Sequence, residues 1–66
     1  MTYTEKTFAG TWYTINCTAP VTVFENIDGE QYELLILDRA GSDSFRAAGA
    51  LVTIETDGKY RLLPFA

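Results

Sequence analysis

Histidine is absent from the 66-residue chain, cysteine occurs once, and five basic side chains stand against nine acidic ones. Without histidine, the commonest general acid–base group and the commonest metal ligand are both missing. One cysteine and no histidine cannot build the usual zinc site. A lone cysteine also rules out an internal disulfide, whereas small secreted domains usually carry several. Cys17 lies in an apolar stretch with no imidazole to activate it, and reads as a buried, inert thiol. No glycine-rich phosphate loop and no nucleophile elbow occur. Carboxylates alone would have to carry any proton transfer. The expectation is a non-enzymatic protein with no catalytic, cofactor-binding or metal-binding residue.

Long apolar runs are missing as well. No stretch approaches the ~20 residues that span a bilayer. No basic segment followed by an apolar run marks a signal peptide. A cytoplasmic protein that does not bind membranes is expected, and the Asn16-Cys17-Thr18 sequon then carries no meaning. Net charge is −4. That charge opposes direct binding to nucleic-acid backbones and assists docking on a basic protein surface. It also serves plain solubility.

What the chain does have is apolar and aromatic material. Hydrophobic residues make up 47% of it, with one Trp, four Tyr and four Phe. This argues against disorder and for one small domain over residues 1–66, with a thin stability margin. Leu51 to Pro64 reads as a β-hairpin. A three-residue loop, Thr56-Asp57-Gly58, pairs Ile54 with Tyr60 and Val52 with Leu62 on one face. Thr53, Glu55, Lys59 and Arg61 then fall on the other. Gly58 takes the positive φ that such a loop needs, and Pro64 ends the strand or marks an edge.

The segment Phe8 to Cys17 suits a strand, with Tyr13, Ile15 and Cys17 on one face and a bulge or bend at Gly10. Met1 to Lys6 reads as frayed. Val21–Glu25 and Gln31–Leu37 flank Asp28-Gly29, a second hairpin. A two-residue loop would align Val21, Val23, Tyr32, Leu34 and Ile36. Leu34 to Leu37 is apolar on both faces, as in a central strand or an exposed contact patch. Ser42 can cap a short helix over Asp43–Ala48 that ends at Gly49, with Phe45 and Ala48 inward; an ordered loop is the alternative. The expected fold is all-β, or β-rich α+β. It is a five-stranded antiparallel sheet or small barrel with a short helix or loop between strands 3 and 4. That order occurs in OB-type and SH3-like barrels.

Glu25, Asp28, Glu30 and Glu33 concentrate four carboxylates around one turn. Counting from Gly29 as the sixth loop position puts Phe24 and Leu35 where calcium ligands should stand, so this is no EF-hand. A glycosidase pair would need a cleft of fixed width. Carboxylates along a β-ribbon can instead imitate phosphates and occupy a Lys/Arg groove. Glu55 and Asp57 stand behind them, and Phe24 and Tyr32 are aromatic anchors beside the charges. In size, charge and want of catalytic residues the chain is similar to small phage-encoded inhibitors, including anti-CRISPR proteins, a likeness that covers no motif. It implies a protein that blocks a partner's basic nucleic-acid-binding surface in the host cytoplasm, without binding nucleic acid itself. The alternative is a structural or assembly module that oligomerises or docks through a strand edge or the Leu34–Leu37 patch. Either a monomer or a homodimer fits.

Overall fold

The computed structural model describes residues 1–65. They form seven strands and no helix: β1 (Thr2–Lys6), β2 (Trp12–Cys17), β3 (Val21–Ile27), β4 (Glu30–Leu37), β5 (Gly41–Arg46), β6 (Leu51–Thr56) and β7 (Tyr60–Pro64). One antiparallel sheet runs β1-β6-β3-β4, and a second runs β5-β2-β7. The fold is therefore all-β and antiparallel. It is a two-layer arrangement, not a five-stranded sheet or a closed barrel. Tyr13, Ile15, Cys17, Phe45 and Ala47 on the second layer meet Val21, Val23, Val52 and Ile54 on the first. Tyr13 and Phe45 stack with ring centroids 5.8 Å apart.

Two segments become strands against expectation. Met1–Lys6 is not frayed, because β1 pairs with β6 from Thr2↔Glu55 to Lys6↔Leu51. Asp43–Ala48 is not a helix. Its first four residues, Asp43 to Arg46, belong to β5, which pairs with β2 from Trp12↔Arg46 to Cys17↔Gly41. Phe45 and Ala47, two residues apart, point into the core, while Ala48 is exposed. The period is two, not three and a half. Ser44 and Ser42 bond sideways to Thr14 and Asn16 across the β2–β5 ladder.

The largest correction concerns Leu51 to Pro64. β6 pairs with β1 and β3, and β7 pairs with β2, so the two strands lie in different sheets. The Asp57-Gly58-Lys59 connection crosses between layers. Both strands still turn the expected residues inward: Val52 and Ile54 are buried, and Tyr60 and Leu62 pack against the core. Gly58 does not adopt positive φ. It is small because Thr18 and Ala19 of the neighbouring crossover leave no room, and a Cβ there would lie 2.6 Å from Thr18 Oγ1.

The β3–β4 hairpin has the expected two-residue loop, closed at Ile27↔Glu30. Asp28 and Gly29 have φ of 53° and 82°, the signature of a type I′ turn. A bulge between Val23 and Phe24 shifts the register so that Val23 opposes Leu35 and Val21 opposes Leu37. Leu34 is the extra residue, and Ile36 turns outward and is 61% exposed. The strand is thus at the edge of its sheet, not at its centre.

Candidate interaction surfaces

Alternation along β3 decides the fate of its carboxylate. Val21, Val23 and Glu25 share the inward face, and Glu25 is only 2% exposed. Its Oε1 accepts hydrogen bonds from the backbone N–H of Ala48 at 3.2 Å and of Gly49 at 3.0 Å. Oε2 is buried without a partner among the described residues. Glu25 is a brace for the loop between β5 and β6, not a member of an exposed acidic surface. Phe24 also leaves the surface set. It lies between Thr53 and Glu33 on its sheet and is 8% exposed.

Asp28, Glu30 and Glu33 remain exposed on the ribbon. Tyr32, 47% exposed, shares the face of Glu30, and its hydroxyl donates to Glu30 Oε2 at 2.8 Å; Glu33, opposite Phe24, points to the other face of the ribbon. Glu55 is exposed on β6, opposite Thr2 and Thr22. It is two strands away from Glu33, so the two do not form one cluster. Asp57 lies in the β6–β7 connection, 3.2 Å from the Met1 ammonium. Arg39 lies 3.7 Å from Asp38. Among the described residues, no cation neutralises Asp28, Glu30 or Glu33.

The two layers are closed differently at their margins. β1 and β7 share no backbone ladder. Side chains span that seam: Tyr3 and Tyr60 rings lie 5.2 Å apart, and the Tyr60 hydroxyl donates to the Glu5 carboxylate. Burial first, then the hydrogen bond and charge of Glu5, and last the charge of Tyr3, push the Tyr60 phenol well above its ordinary value. Cys17 is buried, with Sγ 3.2 Å from Thr56 Oγ1. Among the described residues, no group of three His, Cys, Asp or Glu is placed to hold a metal ion, and no helix is long and apolar enough to cross a membrane.

A further surface escapes a reading by composition. On the three-stranded sheet, the outward residues include Trp12, Asn16, Arg46, Arg61 and Leu63. The alternation of β2 showed Trp12 opposite Tyr13 in sense. Which side chains flank it depends on strand partners, and no local pattern reveals those. Compared with protein-family models, curated proteins and solved structures, the chain matches none.

Proposed function

We propose that the chain is a small non-enzymatic inhibitor that uses the β3–β4 ribbon to occupy a basic protein surface and keep nucleic acid off it. The observation that supports this reading is the set Asp28, Glu30 and Glu33, exposed on the ribbon and without an internal cation among the described residues, with the half-exposed Tyr32 on the face of Glu30. Carboxylates left free by their own fold are available to lysine and arginine of a partner. Complementary charge speeds encounter and fixes register, and the aromatic ring beside Glu30 supplies buried area. On this reading the compartment is the cytoplasm of the cell whose protein is blocked, as for the phage-encoded inhibitors whose general character the chain shares. The test is capture of a partner from host lysate by the wild-type chain and by Asp28→Lys/Glu30→Lys/Glu33→Lys. The variant should lose the partner while circular dichroism stays unchanged, and competing DNA should displace the partner from the wild type. Undiminished capture by the folded variant removes the acidic ribbon from the account.

A second reading, an assembly module, is favoured by the position of β4. It is an outermost strand of its sheet and exposes Ile36. An unpaired strand edge is a template for another chain. Size-exclusion chromatography with light scattering separates the readings. A homo-oligomer that persists in about 0.5 M salt, where surface charge is largely screened, favours the edge.

A further inference from the structure

We propose that the outer face of the three-stranded β5-β2-β7 sheet binds single-stranded nucleic acid, with Trp12 and Phe65 as the stacking surface and Arg46, Arg61 and Lys59 as phosphate contacts. This goes beyond the acidic-ribbon reading, uses the other sheet, and stands or falls separately from it.

The face follows from register. Arg46 lies opposite Trp12, and Arg61 lies opposite Asn16. Lys59 is one position before β7, and its backbone bonds with Thr18 at the end of β2. Phe65 continues β7 past Pro64, its N–H donating to the Trp12 carbonyl at 2.9 Å. The Trp12 and Phe65 rings are 6.5 Å apart and tilted, with Trp12 48% and Phe65 52% exposed. Two half-exposed rings on one sheet face form an apolar surface outside the core.

Among the described residues, charge on this face is of one sign: three of the five basic residues stand on it, no carboxylate does, and none of the three cations forms an ion pair, Arg46 Nε donating to the Gly10 carbonyl at 3.1 Å. Asp43, on the neighbouring strand β5, opposes Ile15 and so belongs to the other side of the sheet. The net charge of −4 therefore misdescribes this surface. The molecule is 15 Å across its shortest axis, and charge is screened over ~8 Å at physiological salt. Carboxylates beyond the opposite sheet have little influence here. Arg46 beside the rings and Arg61 at the far corner of the sheet, with the hydroxyl and amide groups of Thr14, Asn16 and Ser42 across the face, match the chemistry of unpaired bases joined by phosphates. An acidic peptide would use the cations and leave the rings idle.

Trp12 is the one tryptophan of the chain, so its fluorescence reports the site directly. The intact chain is titrated with oligothymidylate and with oligouridylate in about 50 mM salt. Both should give saturable quenching, and raising salt to about 200 mM should weaken binding roughly 20-fold, as three phosphate contacts require. Arg46→Ser/Arg61→Ser should flatten the log–log salt slope from about −2 to about −0.7. Trp12→Ala, followed by anisotropy of a labelled oligonucleotide, should lose affinity on the order of tenfold. If Trp12→Ala fails to fold, Lys59→Ser/Arg61→Ser gives the same slope test from the other end of the face. The proposal is overturned by no saturable binding of either oligonucleotide, or by an unchanged salt slope in the folded arginine variant. Equal competition by polyglutamate also overturns it, and would assign the face to an acidic protein.

Discussion

Gly29 and Gly58 each follow an aspartate, and each is needed for a different reason. Gly29 has open space around the position of a Cβ but a φ of +82°. Gly29→Ala should cost about 1 kcal/mol, and Gly29→Asn much less, since asparagine tolerates the left-handed region. At Gly58 the backbone is ordinary and the space is not, with Thr18 Oγ1, Ala19 Cβ and Ala19 N within 2.9 Å of a Cβ. Gly58→Ala should cost about 1–3 kcal/mol by overpacking, and Gly58→Asn no less. Urea unfolding of the four variants checks the contrast; rescue of Gly58 by asparagine would show that backbone angle matters there after all. Glu25 carries a second residue-level prediction. Its Oε1 holds two loop N–H groups. Glu25→Ala leaves both without that acceptor and should destabilise by about 2–4 kcal/mol, whereas Glu25→Gln keeps a carbonyl and should cost about half of that. Equal unfolding midpoints for the two variants would refute the bracing role. The sequence carried this signal: Val21, Val23 and Glu25 alternate on one face, and period two puts the carboxylate inside.

Strands show where local pattern stops being informative. Alternation placed Val52, Ile54, Tyr60 and Leu62 inward, and they are buried or packed on the core. It said nothing of which strand lies beside which. A short connection can close a hairpin or cross between layers, and Asp57-Gly58-Lys59 crosses because Gly58 nests on Thr18-Ala19. At Asp28-Gly29 the I′ angles matched the twist of the flanking strands, so the hairpin was legible. β5 was hidden because Gly41-Ser42-Asp43-Ser44 has no apolar residue; only Phe45 and Ala47 touch the core. β1 was hidden because its polar sequence looks like a frayed end until β6 is beside it. The seam between β1 and β7 yields the prediction at this scale. Tyr60 has a raised pKa in the folded chain, while the unfolded value is about 10. The folded state favours the neutral phenol, so this contribution is fully present below about pH 10 and is lost as pH rises beyond it. Stability should fall between about pH 9 and the alkaline limit, and Tyr60→Phe should flatten that fall. Chemical denaturation along a pH series decides it, and an equal decline in both proteins would remove the seam from the explanation.

Across the whole molecule, the decisive quantity is the layout of charge relative to the screening length. A count of charges gave one number, −4, and from it an expectation of repulsion from nucleic acid. The fold separates the signs. Asp28, Glu30 and Glu33 sit on the ribbon of one sheet, and Arg46, Lys59 and Arg61 on the outer face of the other. At about 150 mM salt the Debye length, ~8 Å, is shorter than the 15 Å minor axis, which predicts weak coupling between the two faces. At about 10 mM it reaches ~30 Å and matches the 29 Å long axes, so each face feels the other. Reversing the three ribbon carboxylates to lysine adds two charges at each position and takes the net charge from −4 to +2. Oligothymidylate affinity should then change by less than about twofold at 150 mM salt, and rise several-fold at about 10 mM. Partner capture through the ribbon should be lost at both. If the reversed chain bound the oligonucleotide several-fold tighter at physiological salt as well, the strand would be reaching the ribbon, and the two faces would not be separate surfaces.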